Sequence, residues 1–112
     1  MQLQTGNLFS VEAKREAQER IDVLVTGQRL NVERIVSMGH ASPEGFWYDD
    51  SRAEWVVLLS GAAALEFEDG PALHEMRPGD YVLIEPHCRH RVARTQADEP
   101  SVWLAIYHER RA

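Results

Sequence analysis

Cysteine is almost missing from this chain. Cys88 is the only one in 112 residues, which excludes an internal disulfide framework and a cysteine-only zinc cluster. Lysine is as scarce, with Lys14 alone, so a Schiff-base enzyme is disfavoured. No apolar run exceeds the five residues of Trp55–Leu59 or the six of Val102–Tyr107, far short of the roughly 20 that a membrane-crossing helix needs. The opening MQLQTGNLFS has neither a basic n-region nor an apolar h-region, so a cytoplasmic protein without a membrane partner is expected. Positive charge is in deficit too. A formal charge of -6 argues against nucleic-acid binding, because phosphate contacts need a basic surface. The one basic cluster, Arg89, Arg91 and Arg94, is expected to be solvated or paired with the surplus carboxylates.

With 44% apolar and 27% charged residues the composition is that of an ordinary globular domain, and the length suits one core. Residues 1–20 read as a short helical segment. Ser10 is placed as an N-cap, Glu12 lies in the first turn, and VEAKREAQER is rich in helix formers, though its apolar stripe of Val11, Ala13 and Ala17 is thin. From Ile21 to His108 the chain becomes short runs of branched and aromatic residues between turn signals. Gly27, Gly39, Pro43, Gly61, Asp69-Gly70-Pro71, Pro78-Gly79-Asp80 and Pro86 punctuate them. Such spacing predicts eight or nine antiparallel strands in a sandwich or barrel, since parallel strands would need crossover helices. Trp55–Leu59 and Val102–Tyr107 are apolar at every position, so both faces of these strands need cover. The N-terminal segment or a second copy of the chain supplies it, and a homodimer is expected.

Ionisable residues gather beside two turns. Tyr48, Asp49, Asp50 and Glu54 surround Ser51-Arg52-Ala53, and His87 and His90 flank Cys88-Arg89. A barrel that joins these turns has the oxygen and nitrogen donors for a divalent cation. Cys88 is expected to be a buried, inert thiol. His40, His74 and His108 read as solvent histidines. Phe46, Trp47 and Tyr48 in GFWYD are placed to grip a planar or apolar ligand at the mouth of a pocket.

Glu54 followed by WVVLLS and Gly61, then Pro78-Gly79-Asp80 followed by YVLIEPHCRH, resembles the two motifs of the single-domain cupins over roughly Asn31–His108. The resemblance implies an all-β, antiparallel double-sheet jelly-roll barrel with the short N-terminal helix added. It also implies a divalent metal ion (Zn, Fe, Mn or Ni) and a small-molecule substrate. Glu54 and His90 match the family's metal-binding glutamate and second-motif histidine. The two histidines that precede the glutamate in the family are replaced by Tyr48 and Asp50, or by Trp47 and Asp49 where the gap is longer by one, and His87 stands where a turn glycine is usual. On this pattern the metal ligands are Asp50, Glu54, His87 and His90, with Tyr48 and Glu54 as catalytic groups. The implied chemistry is dioxygenase-like or that of a Lewis-acid isomerase or lyase. The other reading keeps the pocket without the metal, as a site that binds a small ligand.

Overall fold

The computed structural model describes residues 2–70 and 73–109. Eight strands follow one another: β1 (Arg20–Thr26), β2 (Leu30–Ser37), β3 (Ala53–Ser60), β4 (Ala63–Phe67), β5 (His74–Met76), β6 (Tyr81–Ile84), β7 (His90–Thr95) and β8 (Ser101–His108). They form a five-stranded sheet in the order β1-β2-β8-β3-β6 and a three-stranded sheet in the order β5-β4-β7. All pairings are antiparallel. The chain crosses between the sheets after β3, β5, β6 and β7, as in a jelly roll.

Period-2 alternation sorts each strand into an inner and an outer set. Across the large sheet one row runs Val82–Val56–Ala105–Glu33–Val23, and a second runs Ile84–Glu54–Tyr107–Asn31. Both face the small sheet. Val56, Leu58, Ala63, Leu65, Met76, Ile84, Trp103 and Ala105 form the core between the sheets. Leu58 and Met76 are fully buried, and each such side chain stabilises the fold by about 2 kcal/mol.

The outer rows explain the doubly apolar strands. Leu83–Trp55–Ile106–Val32 and Tyr81–Val57–Leu104–Arg34 lie on the opposite face. Arg34 pairs with Asp22 at 2.7 Å, and its guanidinium reaches the carbonyls of Asn7, Leu8 and Ser10 at 3.4–3.5 Å. The N-terminal segment therefore crosses the β1–β2 end of this face.

The expected helix is not there. Residues 2–19 hold turns and bends but no helix. An isolated helix of about ten residues is marginal without an apolar face to pack, and the stripe here is thin. Tertiary partners take its backbone groups instead. Arg34 takes three carbonyls and the His40 ring meets the Glu16 carbonyl at 2.7 Å, while the Arg15 guanidinium donates outward to the Met38 carbonyl at 3.0 Å.

Two motif turns set the register that matters. Gly61 follows β3 at φ 94°, and a Cβ there would lie 2.3–2.7 Å from Ser101. Only glycine allows the β3–β4 turn to press onto β8. In the Pro78-Gly79-Asp80 turn, the Asp80 carboxylate accepts from the Arg77 N–H at 2.8 Å. The Gly79 N–H donates to the Leu58 carbonyl, and the Leu58 N–H to the Asp80 carbonyl. That clasp starts β6 opposite Val57 and brings Ile84 beside Glu54.

Candidate functional site in the barrel

Glu54 enters the barrel because it belongs to an inward row, flanked by Ile84 and Tyr107. His90 opens β7 and pairs with Phe67 of β4. The two meet in the interior, with His90 Nε2 3.3 Å from Glu54 Oε1. Glu54 is 8% exposed and His90 7%. Tyr48 is tied to His90 by two backbone hydrogen bonds, of 2.7 and 3.1 Å. Its ring lies 5.6 Å from the imidazole, and the Phe67 ring lies 6.1 Å from it.

The protonation of His90 follows from its neighbours. Nδ1 faces the Cys88 carbonyl at 2.9 Å, and Nε2 faces the Glu54 carboxylate. A hydrogen on each ring nitrogen suits these two oxygen partners. Burial opposes this charge. The hydrogen bonds to Glu54 and to the Cys88 carbonyl, with the negative charges of Glu54 and Asp50, outweigh it and raise the pKa above the usual imidazole value. The pair sets an imidazole of raised pKa against the Glu54 side chain.

The other two expected ligands point elsewhere. Asp50 is held by Arg52 through its Nε (3.1 Å), a terminal nitrogen (2.9 Å) and the backbone N–H (2.7 Å). Arg52 holds the Asp50 carboxyl below its usual range despite partial burial. The same guanidinium lies 4.6 Å over the Tyr107 ring, so Asp50 acts on the rim by positioning Arg52. His87 donates its backbone N–H to the Asp50 carbonyl at 2.8 Å, while its ring meets Asp49 at 2.8 Å. Its side chain is 68% exposed. With φ at 62°, His87 adopts the left-handed backbone of the turn glycine it replaces.

Glu54, His90 and Tyr48 line a small cavity of about 80 Å³ that opens to solvent. Glu19, Ile21, Ile35, Trp103 and Tyr107 also line it, and no lysine or arginine does among the described residues. Burial, with the nearby Glu54, keeps Tyr107 a neutral phenol far above the ordinary range. Burial, with Glu19 and Glu54, does the same to a lesser degree at Tyr48. The interior thus offers two O–H groups, one imidazole and two carboxylates on an apolar wall.

A divalent ion does not fit this donor set. A resident zinc or iron ion typically has three or more protein ligands. Among the described residues no group of three histidine, cysteine, aspartate or glutamate side chains is gathered to hold one. Glu54 and His90 converge inside, and Asp50 and His87 are engaged by Arg52 and Asp49.

Two further placements complete the map. Cys88 is exposed rather than buried, because it lies in the turn between Pro86 and β7. Local desolvation and the charges of Asp69 and Glu85 raise its pKa, so the thiol stays protonated. Arg89, Arg91 and Arg94 pair with Glu68, Glu66 and Glu75, and the basic cluster is neutralised. Glu19 and Tyr107 are not signalled by the sequence as site residues, and Trp103 is signalled only as one of several aromatic residues. Tyr107 and Trp103 look like ordinary members of an apolar strand, and Glu19 falls in a segment that reads as helix.

No helix among the described residues is long and apolar enough to cross a membrane. No curated protein sequence matches the chain. Solved structures do. A Ralstonia eutropha JMP134 protein, provisionally named a mannose-6-phosphate isomerase, is 44% identical, with 96% of this chain and 100% of that one covered and a TM-score of 0.93. A cupin superfamily protein of Desulfitobacterium hafniense DCB-2 is 20% identical over 89% of this chain and 84% of its own, with a TM-score of 0.71. A cupin of Methanocaldococcus jannaschii with a double-stranded β-helix fold is 19% identical over 93% and 94%, with a TM-score of 0.68. The family model described as Cupin domain matches residues 35–107, from the middle of β2 to the end of the inward Tyr107 row. The two-sheet jelly roll, its glycine-dependent turns and that match make this chain a member of the cupin family.

Proposed function

We propose that the protein is a small cupin that binds one small, mostly apolar organic molecule in its barrel and addresses the ligand's polar end without a metal ion. The observation that carries this reading is the division of the four candidate ligands. One carboxylate and one imidazole face the cavity, already paired with each other, while Asp50 and His87 are committed outside it. Apolar lining of this kind, with few polar groups, suits an organic ligand.

A second reading has the Glu54–His90 pair move a proton within the bound ligand. Its support is the raised pKa of a buried imidazole in a cavity, together with the isomerase name of the Ralstonia protein. The sugar phosphate in that name suits this cavity poorly. No lysine or arginine lines it among the described residues, and Glu54 already partners His90.

The test is a thermal-shift screen of small organic molecules against protein purified without chelator, each compound run with and without EDTA. Stabilisation that survives EDTA supports the reading. Stabilisation that requires added Zn, Mn or Fe overturns it.

The reading includes a pair of chains. Within the outer rows, the stretch of Trp55, Val57, Tyr81, Leu83, Leu104 and Ile106 carries no charge, in a chain of net -6, and the charged end of the rows, Arg34, is paired with Asp22. A second copy meets this face without like-charge repulsion and presents the same apolar surface in return. Sedimentation at micromolar concentration should give about 26 kDa, twice the 12.8 kDa chain mass. A single-chain particle contradicts the pairing.

A further inference from the structure

Glu19 stands apart from the other charges of the barrel. It ends the N-terminal segment, one residue before β1, and lines the same cavity as Glu54 and His90. Two buried side chains hold it there. The Ser37 hydroxyl donates to the Glu19 carboxylate, and the Trp103 indole N–H donates to the Ser37 oxygen at 3.2 Å. Ser37 is 0% exposed and Trp103 3%, so this chain of hydrogen bonds is anchored in the core. The anchor is indifferent to charge balance, because a serine hydroxyl and an indole N–H bring no positive charge.

The polarity of the cavity follows from this inventory. Glu54 has His90 as its partner at 3.3 Å. Glu19 has no matching cation in the lining, which holds no lysine or arginine among the described residues. Its charge is felt inside: after burial, Glu19 is the first contributor to the raised pKa of Tyr48. A carboxylate fixed beside aromatic and aliphatic walls favours a ligand that brings the missing positive charge. It disfavours carboxylates and phosphates, which repeat the charge already present. Tyr48 and Trp103 in the same lining add ring faces that attract cations.

We infer that the ligand of this cavity is a small organic cation, a primary amine on an apolar body, with its nitrogen at Glu19. The inference rests on the small-ligand reading above and gives that ligand its charge. Glu19 then sets specificity, with Ser37 and Trp103 positioning it.

Three probes of equal shape and different charge test it: benzylamine, benzyl alcohol and benzoate, titrated calorimetrically into the full chain at pH 7 and low salt. Benzylamine should bind roughly 10-fold or more tighter than benzyl alcohol, as one charge-assisted contact provides, and benzoate should bind weakest. Glu19→Gln should bring benzylamine down to the affinity of benzyl alcohol and leave the alcohol unchanged. Glu19→Asp keeps the charge and should keep the order of the three, which separates charge from folding. Benzyl alcohol binding with no preference for the amine, or an amine preference that survives in Glu19→Gln, overturns the charge inference while the apolar-pocket reading stands. If none of the three binds, that reading and this inference fall together.

Discussion

Two acid–imidazole pairs lie within a few residues of each other along this chain and live in different surroundings. Glu54 and His90 meet in the barrel at 3.3 Å, with side chains 11% and 8% exposed. Asp49 and His87 meet at 2.8 Å on the rim, with side chains 45% and 68% exposed. The rim pair is closer, yet the inner pair has the greater consequence. Water screens the rim charges and competes for them, so such contacts contribute little. The inner charges have lost their water and depend on each other. Burial, more than distance, decides which pair the fold relies on.

The largest way to break this contrast is to delete one partner inside. Glu54→Ala takes the carboxylate from buried His90 and empties its place in the barrel, and should cost about 2 kcal/mol or more in urea unfolding. Asp49→Ala on the rim should cost less than about 1 kcal/mol. Equal losses at the two sites would erase the distinction.

A slightly smaller effect is expected where a motif glycine holds the inner pair in register. Gly61→Ala sets a Cβ against Ser101 at a positive φ and should cost about 2 kcal/mol. Gly45→Ala shares the positive φ but has open space around its Cβ, so its loss should be about 1 kcal/mol. Urea melts of the two variants compare a close approach with backbone strain alone.

The pH dependence sharpens the contrast further. His90 has a pKa raised above 6.5 in the folded state. Its contribution to stability is therefore complete below pH 6.5 and fades as pH rises through the folded value. Thermal melts of wild type and Glu54→Gln should differ most near pH 6, and the gap should narrow above pH 6.5. A gap that widens with rising pH has the wrong sign for an imidazolium–carboxylate pair.

The smallest effect is expected at His87. A left-handed φ of 62° is natural for glycine. His87→Gly relieves the turn, loses one exposed contact to Asp49 and should change stability by less than about 1 kcal/mol. A loss of several kcal/mol would show that the rim imidazole supports the fold as the inner one does.

Much of the architecture can be read from the chain before any coordinates. Gly61 and Pro78-Gly79-Asp80 mark turns whose geometry is local, so their spacing carries directly into the strands around them. The paired apolar faces of Trp55–Leu59 are legible for the same reason, because alternation assigns every residue of a strand to one side. The N-terminal helix was misleading because helix propensity over ten residues is weak, and Arg34 and His40, distant in sequence, take its backbone carbonyls. Inside the site, Glu54 and His90 are signalled by motif spacing. The outward engagement of Asp50 is not, since it depends on Arg52 choosing a carboxylate two residues away and a tyrosine on another strand. Glu19 is the least legible, as nothing local announces that Ser37 and Trp103 will hold it at the cavity.

The most direct measurement is the protonation state of His90, followed by nitrogen-15 NMR of the imidazole from pH 5 to 9. A buried imidazolium–carboxylate pair predicts both ring nitrogens protonated at pH 6.5, a midpoint above that value which falls in Glu54→Gln, and resonances unmoved by one equivalent of Zn. A His90 ring that is neutral at pH 6.5, or that shifts as a ligand when Zn is added, would contradict the account.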